Sequence, residues 1–204
     1  MAIATFDLIE TMRFEALDGF VDLESHLERM KNSADELGFH FNRHDCRNDL
    51  QAATFRLSEN ARVRLMLSPS GALAIEVRPM PAQPVGPVAV GLAALPLDAD
   101  DLRLRHKTSD RAHFQRAVET AGTFEVVFVR ADGFVTEGSF TNVFVKRGGM
   151  LLTPPLGSLM PGILRGKLID EGKAREADLT PDDLKDGFFL GNSLRGLIAA
   201  VLIR

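Results

Sequence analysis

The spacing of hydrophobic and polar positions changes period several times along the chain, and each change marks an element. Residues 3–13 (IATFDLIETMR) form an apolar run that reads as a strand, followed by a turn around Asp18-Gly19. From Leu23 the period becomes helical: Leu23, Leu27, Met30, Ala34 and Leu37 lie on one stripe, with Asp22 expected as the N-cap and Gly38 as the stop. A second helix is expected over roughly 43–57. Residues 61–67 and 72–77 alternate around Ser68-Pro69-Ser70-Gly71, the pattern of a hairpin. Residues 78–87 hold four prolines in ten positions and read as a linker. The chain then divides into a small α/β domain over 1–83 and a larger domain over 84–204.

The larger domain opens with a strand over 88–95. A helix follows whose stripe of Phe114, Ala117, Val118 and Ala121 ends at Gly122, with Ser109 or Asp110 expected as its cap. Short β-branched and aromatic runs at 126–129, 134–136, 143–145 and 150–152 are separated by Ala-Asp-Gly and Arg-Gly-Gly, the turn chemistry of antiparallel hairpins. This meander leads to a helix with Pro161 in its first turn and a stop at Gly172. A buried strand over 188–193 is expected to run into a last helix through Leu194, Leu197, Ile198, Val201 and Leu202, capped by Ser193. The mixture of elements is that of an α/β (α+β) protein.

Composition narrows the function classes. The 204 residues are 45% hydrophobic and 25% charged, as in an ordinary globular protein. A net charge of -4 argues against a nucleic-acid partner, which needs a basic face. The single cysteine, Cys46, can form no intrachain disulfide, which fits a reducing compartment. No leader-like stretch or membrane-length apolar run is visible, so a cytoplasmic location and no membrane partner are expected. His40, His44 and Cys46 match no metal-ligand spacing, and no metal is expected.

Four features carry chemistry. Glu137 and Asn142 lie five apart in the meander, flanked by apolar runs that should bury them, and a buried carboxylate requires a partner. The helix that begins near Ile163 offers unpaired N–H groups and a positive dipole end, a site for phosphate, and Ser193 promises a second such site. Lys107 precedes a helix start, an environment that favours the neutral, nucleophilic amine. Arg62 and Arg64 share one strand face and would suit a carboxylate-rich ligand. Arg29 falls off the stripe of its helix, which from periodicity alone leaves it in solvent.

An amine, a carboxylate and phosphate-binding helix ends are the set that pyridoxal 5'-phosphate chemistry needs. The ordered segments Glu10-Thr11-Met12-Arg13, His26-Leu27-Glu28-Arg29-Met30, Leu104-Arg105-His106-Lys107-Thr108, Thr136-Glu137-Gly138-Ser139 with Asn142, Thr153-Pro154-Pro155, residues 159–165 and Asn192-Ser193-Leu194-Arg195-Gly196 span nearly the whole chain. In them the sequence resembles the class IV, branched-chain type of pyridoxal-phosphate enzymes (fold type IV), and within it the 4-amino-4-deoxychorismate lyases.

The resemblance implies that Lys107 is the Schiff-base lysine and that Glu137 faces the pyridine nitrogen. Arg29, the Ile163 and Leu164 amides and Ser193 would hold the phosphate, and Asn142 would be the candidate partner of the ring oxygen. Arg13 and either Arg62 or Arg64 would face substrate, with Thr11 the candidate acid. It further implies a homodimer that releases pyruvate from a small-molecule substrate to give 4-aminobenzoate for folate synthesis. A D-amino-acid or other class IV aminotransferase is the alternative. Branched-chain aminotransferases carry a tyrosine five residues after the lysine; this chain has Ala112 there and no tyrosine at all, which favours the lyases.

Overall fold

The computed structural model describes residues 6–98, 100–157 and 159–203, so residues 3–5 of the expected first strand lie outside it. Two compact units are present. One runs through Ala82 and takes in His106–Asp110; the other comprises Gln83–Arg105 and the chain from Arg111 onward.

In the first unit, β1 (Leu8–Glu15), β2 (Gly19–Phe20), β3 (Ala61–Leu67) and β4 (Leu73–Pro79) form a sheet in the order β2-β1-β3-β4. Two helices, α1 (Leu23–Leu37) and α2 (Arg43–Thr54), cover one face. The alternation of β3 is strict: Ala61, Val63, Leu65 and Leu67 are buried and the residues between them are not. Those four pack with Leu8, Met12 and Phe14 of β1 against Leu27, Met30 and Ala34 of α1 and Leu50 of α2. Each helix thus docks an apolar stripe on the apolar side of a pleated sheet. Helix α1 ends at Gly38, whose φ of 73° suits glycine and whose N–H returns to Ala34 O. At the other end Asp22 sits in the left-handed region and its side chain makes no cap; only its carbonyl serves the helix, accepting from His26 N–H. The second helix stops at Thr54, short of the expected 57.

The second unit consists of β5 (Val88–Ala94), the short α3 (Leu102–Arg105), α4 (Ala112–Ala121), β6 (Glu125–Val129), β7 (Val135–Gly138), β8 (Asn142–Arg147), β9 (Met150–Thr153), α5 (Ile163–Asp170), β10 (Ala174–Glu176), β11 (Phe188–Asn192) and β12 (Gly196–Leu202). The strand order is β10-β9-β8-β11-β12-β5-β6-β7, and a further pairing of β7 with β8 closes the sheet on itself. That closure is one register pair, Glu137 with Asn142. Val90, Val127, Val135, Val143, Leu190 and Ile198 fill the interior, while Phe114 of α4 packs outside on Val126 and Phe128. Burial on both faces explains why these strands read as continuous apolar runs.

The C-terminal segment corrects the sequence reading. Residues 196–202 form strand β12, not a helix, antiparallel to β11 and parallel to β5. Apolar residues at nearly every position satisfy both periods, and the place between β11 and β5 decides between them. Among the described residues, no helix is long and apolar enough to cross a membrane.

Candidate active site

The first unit carries candidate residues on both faces of its sheet. Glu10 is in phase with Leu8 and Met12, so it points under α1, where it is 1% exposed. Its Oε1 accepts from Arg29 Nε at 2.8 Å, and its Oε2 from Arg29 Nη2 at 2.6 Å; His26 Nδ1 lies 2.6 Å from the same Oε2. Burial alone would push this carboxyl up, but Arg29 and His26 outweigh burial and bring it down to about 2. Arg29 is therefore not a solvated helix arginine: one guanidinium edge is held two-pronged by a buried carboxylate. Periodicity located the apolar stripe and gave no sign of a partner on the neighbouring strand.

The opposite sheet face carries the expected substrate residues. Antiparallel register sets Thr11 across from Arg64 and Arg13 across from Arg62, and β4 continues the rows with Glu76 and Arg78. Residues directly opposite each other share a face, so Thr11, Arg13, Arg62 and Arg64 are neighbours. Arg13 Nη2 pairs with Glu15 at 2.8 Å. Among the described residues, the buried Nε atoms of Arg13 and Arg64 find no protein partner.

Lys107 joins this face through the backbone. By its position in the sequence it belongs to the larger domain, just before an expected helix start; its peptide packs with the first unit, and α4 begins only at Ala112. Ile9 N–H donates to Lys107 O and Ser109 N–H to Asp7 O, each at 2.8 Å, and Leu8 pairs with Thr108. Lys107 thereby falls opposite Ile9, on the side of Thr11 and Arg64, while His106 and Thr108 turn inward and are buried. His106 Nδ1 lies 3.0 Å from Ser33 Oγ of α1, which ties down the residue next to the lysine. Ser109 does not cap α4: its hydroxyl accepts from Asp7 N–H at 2.9 Å, and Arg111 stands at the N-cap, where its side chain does not cap the helix. A sheet pairing, not a helix dipole, sets the position of Lys107.

In the second unit Glu137 and Asn142 face each other across the closing pair, both about 5% exposed. Met160 bridges them, its N–H donating to Glu137 Oε2 at 3.0 Å and its carbonyl accepting from Asn142 Nδ2 at 3.2 Å. Pro161 precedes the helix rather than opening it. Gly162 is the N-cap of α5 and offers no side chain to the first turn, where Ile163 and Leu164 lie. A Cβ at Gly162 would stand 1.8 Å from Asn142 Oδ1, so only glycine lets the helix start approach so closely.

Ser193 lies in the β11–β12 turn. There Asn192 Oδ1 accepts from the N–H groups of Leu194 and Arg195 at 3.1 and 2.9 Å, and Asn192 Nδ2 donates to Phe140 O at 3.1 Å. Of the two helix starts expected to receive phosphate, the one at α5 exists and the one at Ser193 does not. Gly191 presses on Leu164, where a Cβ would come within 3.0 Å of Cδ2, so this turn and the α5 start are adjacent. Each unit thus gathers its own set: Lys107, Thr11, Arg13, Arg64 and Arg29 in the first, Glu137, Asn142, Ile163, Leu164 and Ser193 in the second.

A family model described as amino-transferase class IV matches residues 7–203. The chain belongs to the class IV amino-transferase family. A Schizosaccharomyces pombe relative named "Putative aminodeoxychorismate lyase" is 32% identical over 194 residues, covering 89% of this chain and 84% of that one. The crystal structure of a "Putative amino-acid aminotransferase" from Mesorhizobium loti superposes with a TM-score of 0.90 at 38% identity, over 97% of this chain and all of the other. A hypothetical aminotransferase from Mycobacterium tuberculosis, solved in an alpha-ketoglutarate and PMP bound form, superposes with a TM-score of 0.84 at 26% identity, over 96% and 81% of the two chains.

Pyridoxal 5'-phosphate is the cofactor of the class IV family. The donor set fits it: a buried carboxylate suited to a protonated ring nitrogen, a helix start whose cap has no side chain, suited to a phosphate, and a lysine on a face of arginines.

Proposed function

We propose that this chain is a pyridoxal-phosphate-dependent 4-amino-4-deoxychorismate lyase, acting as a homodimer. Lys107 would hold the cofactor aldehyde and Glu137 its ring nitrogen, with Asn142 at the ring oxygen. Arg29, the Ile163 and Leu164 amides and Ser193 would hold the phosphate. When bound, this cofactor supplies an electron-accepting ring that stabilises negative charge at the substrate's amine-bearing carbon.

The observation that carries the reading is the common face of Lys107, Thr11, Arg13, Arg62 and Arg64. The substrate has two carboxylates, and arginines opposite β1 suit both. The Lys107 amine removes the proton from the amine-bearing carbon. The neighbouring carbon–oxygen bond then breaks, the ring becomes aromatic, and the three-carbon fragment leaves as the enol of pyruvate. Thr11 would give the departing oxygen its proton, a role supported by its lying on the same sheet face as Lys107.

The chain's likeness to an aminotransferase structure supports a second reading, amino transfer to a keto acid. Incubation with 4-amino-4-deoxychorismate and no keto acid separates the two. The lyase releases pyruvate and 4-aminobenzoate in equal amounts, and Lys107→Ala releases neither. Turnover that begins only when a keto acid is added would establish the transaminase instead.

A further inference from the structure

The loop that joins Glu137 to Asn142 is pinned by a carboxylate with no part in the chemistry above. Glu125, the first residue of β6, is fully buried. Its Oε1 accepts from the N–H groups of Ser139 at 2.9 Å and Val126 at 3.0 Å. Its Oε2 accepts from Phe140 N–H and from Thr141 Oγ1, both at 3.1 Å. All four donors are neutral. The packing is close as well: a Cβ at Gly138 would stand 2.8 Å from Glu125 Oε2 and 2.5 Å from Thr141 Oγ1.

The loop's carbonyls are also held. Ser139 O accepts from Arg111, Phe140 O from Asn192 Nδ2 at 3.1 Å, and Thr141 O from Gly138 N–H at 2.8 Å. Residues 139–141 are therefore tied at every carbonyl, and Glu125 accepts from a donor on each of them. The two ends of this loop are the register pair Glu137 and Asn142, so a displaced loop moves both.

We propose that Glu125 is a positioning residue, which holds the turn of residues 139–141 so that the Glu137 carboxylate and the Asn142 amide keep the orientation in which they meet the cofactor ring. This rests on the pyridoxal-phosphate reading above. The four donors explain why a carboxylate stands there. Glutamine offers one oxygen and an amide whose own N–H groups would face donors, so Glu125→Gln leaves part of the turn unheld. Thr141→Val removes a single bond of the four.

The test uses the full chain as wild type, Glu125→Gln and Thr141→Val. Dissociation constants are measured for pyridoxal 5'-phosphate and for pyridoxal, with the visible absorption of the bound forms and the Tm of each protein without cofactor. The wild type binds both. Glu125→Gln weakens both by about tenfold, the equivalent of roughly 1.4 kcal/mol, and shifts the visible band. The ratio of the two constants stays at the wild-type value, because the phosphate is held elsewhere. Thr141→Val changes both by a few-fold in the same direction, and it carries the test alone should Glu125→Gln fail to fold.

A variant with lowered Tm but wild-type constants and band would mean that Glu125 only stabilises the fold, and the inference falls while the cofactor reading stands. A wild-type chain that binds neither compound overturns both.

Discussion

Glu10 and Glu125 are the same residue type, each on a strand and each buried, and their environments act on them in opposite directions. Glu10 meets cationic Arg29 in two-pronged contact, with His26 beside it; burial raises its carboxyl, but these partners outweigh burial and leave it at about 2. Glu125 accepts as many hydrogen bonds or more, but all from neutral groups, and burial holds its carboxyl above the ordinary range. Hydrogen bonds from amides and hydroxyls offset part of the desolvation of a carboxylate; a full positive charge in contact reverses it. The first carboxylate orients a guanidinium and the second orients a stretch of backbone. Each lies one step behind a residue proposed to touch the cofactor.

The largest effect is expected at Glu10. Glu10→Ala leaves Arg29 and His26 under α1 without their carboxylate, and urea unfolding should show a loss of roughly 3–5 kcal/mol. A loss below about 1 kcal/mol would mean that the pair contributes little.

Acid titration of the wild type comes next. The Glu10 carboxyl lies at about 2 when folded against an ordinary 4.5, so its contribution is complete above about 4.5 and is lost as pH falls toward 2. The total is about 3 kcal/mol, since each tenfold change in proton affinity corresponds to about 1.4 kcal/mol. Glu125 has the opposite sign: a raised carboxyl contributes stability below its unfolded value that is lost as pH rises through the folded one. Glu10→Gln should therefore flatten the acid limb of a stability–pH curve, and Glu125→Gln should leave that limb intact. Glu125→Ala, which strands four neutral donors instead of two cationic groups, should cost roughly 1–3 kcal/mol by the same unfolding measurement. The smallest effect belongs to Thr141→Val, about 1 kcal/mol or less from one lost hydrogen bond.

The two regions also differ in how far the sequence revealed them. Glu10 was legible in principle, because it falls in phase with Leu8, Met12 and Phe14 on an inward face, where a charge demands a partner. Glu125 gave no such sign, since it opens an apolar run and its partners beyond the adjacent Val126 lie 14 to 16 residues away in a loop. Elements with one wet and one dry face, such as β3 and α1, were readable from period alone. The C-terminal run was not, because it is apolar throughout and the choice was made by neighbouring strands. Lys107 lies elsewhere in the fold than its place in the sequence suggests. Its proximity to α4 in sequence suggested a dipole, whereas its backbone pairs with a strand almost a hundred residues earlier. Glu137, Asn142 and the α5 start were readable together because short-range turn chemistry brings them together.

Lys107 is the proposed point of attachment of the cofactor. Treating the protein loaded with pyridoxal 5'-phosphate with borohydride, digesting it and weighing the peptides tests this directly. One labelled peptide, the one containing Lys107, and loss of the visible band are expected. An unlabelled Lys107, or label spread over surface lysines such as Lys146 and Lys185, would contradict it.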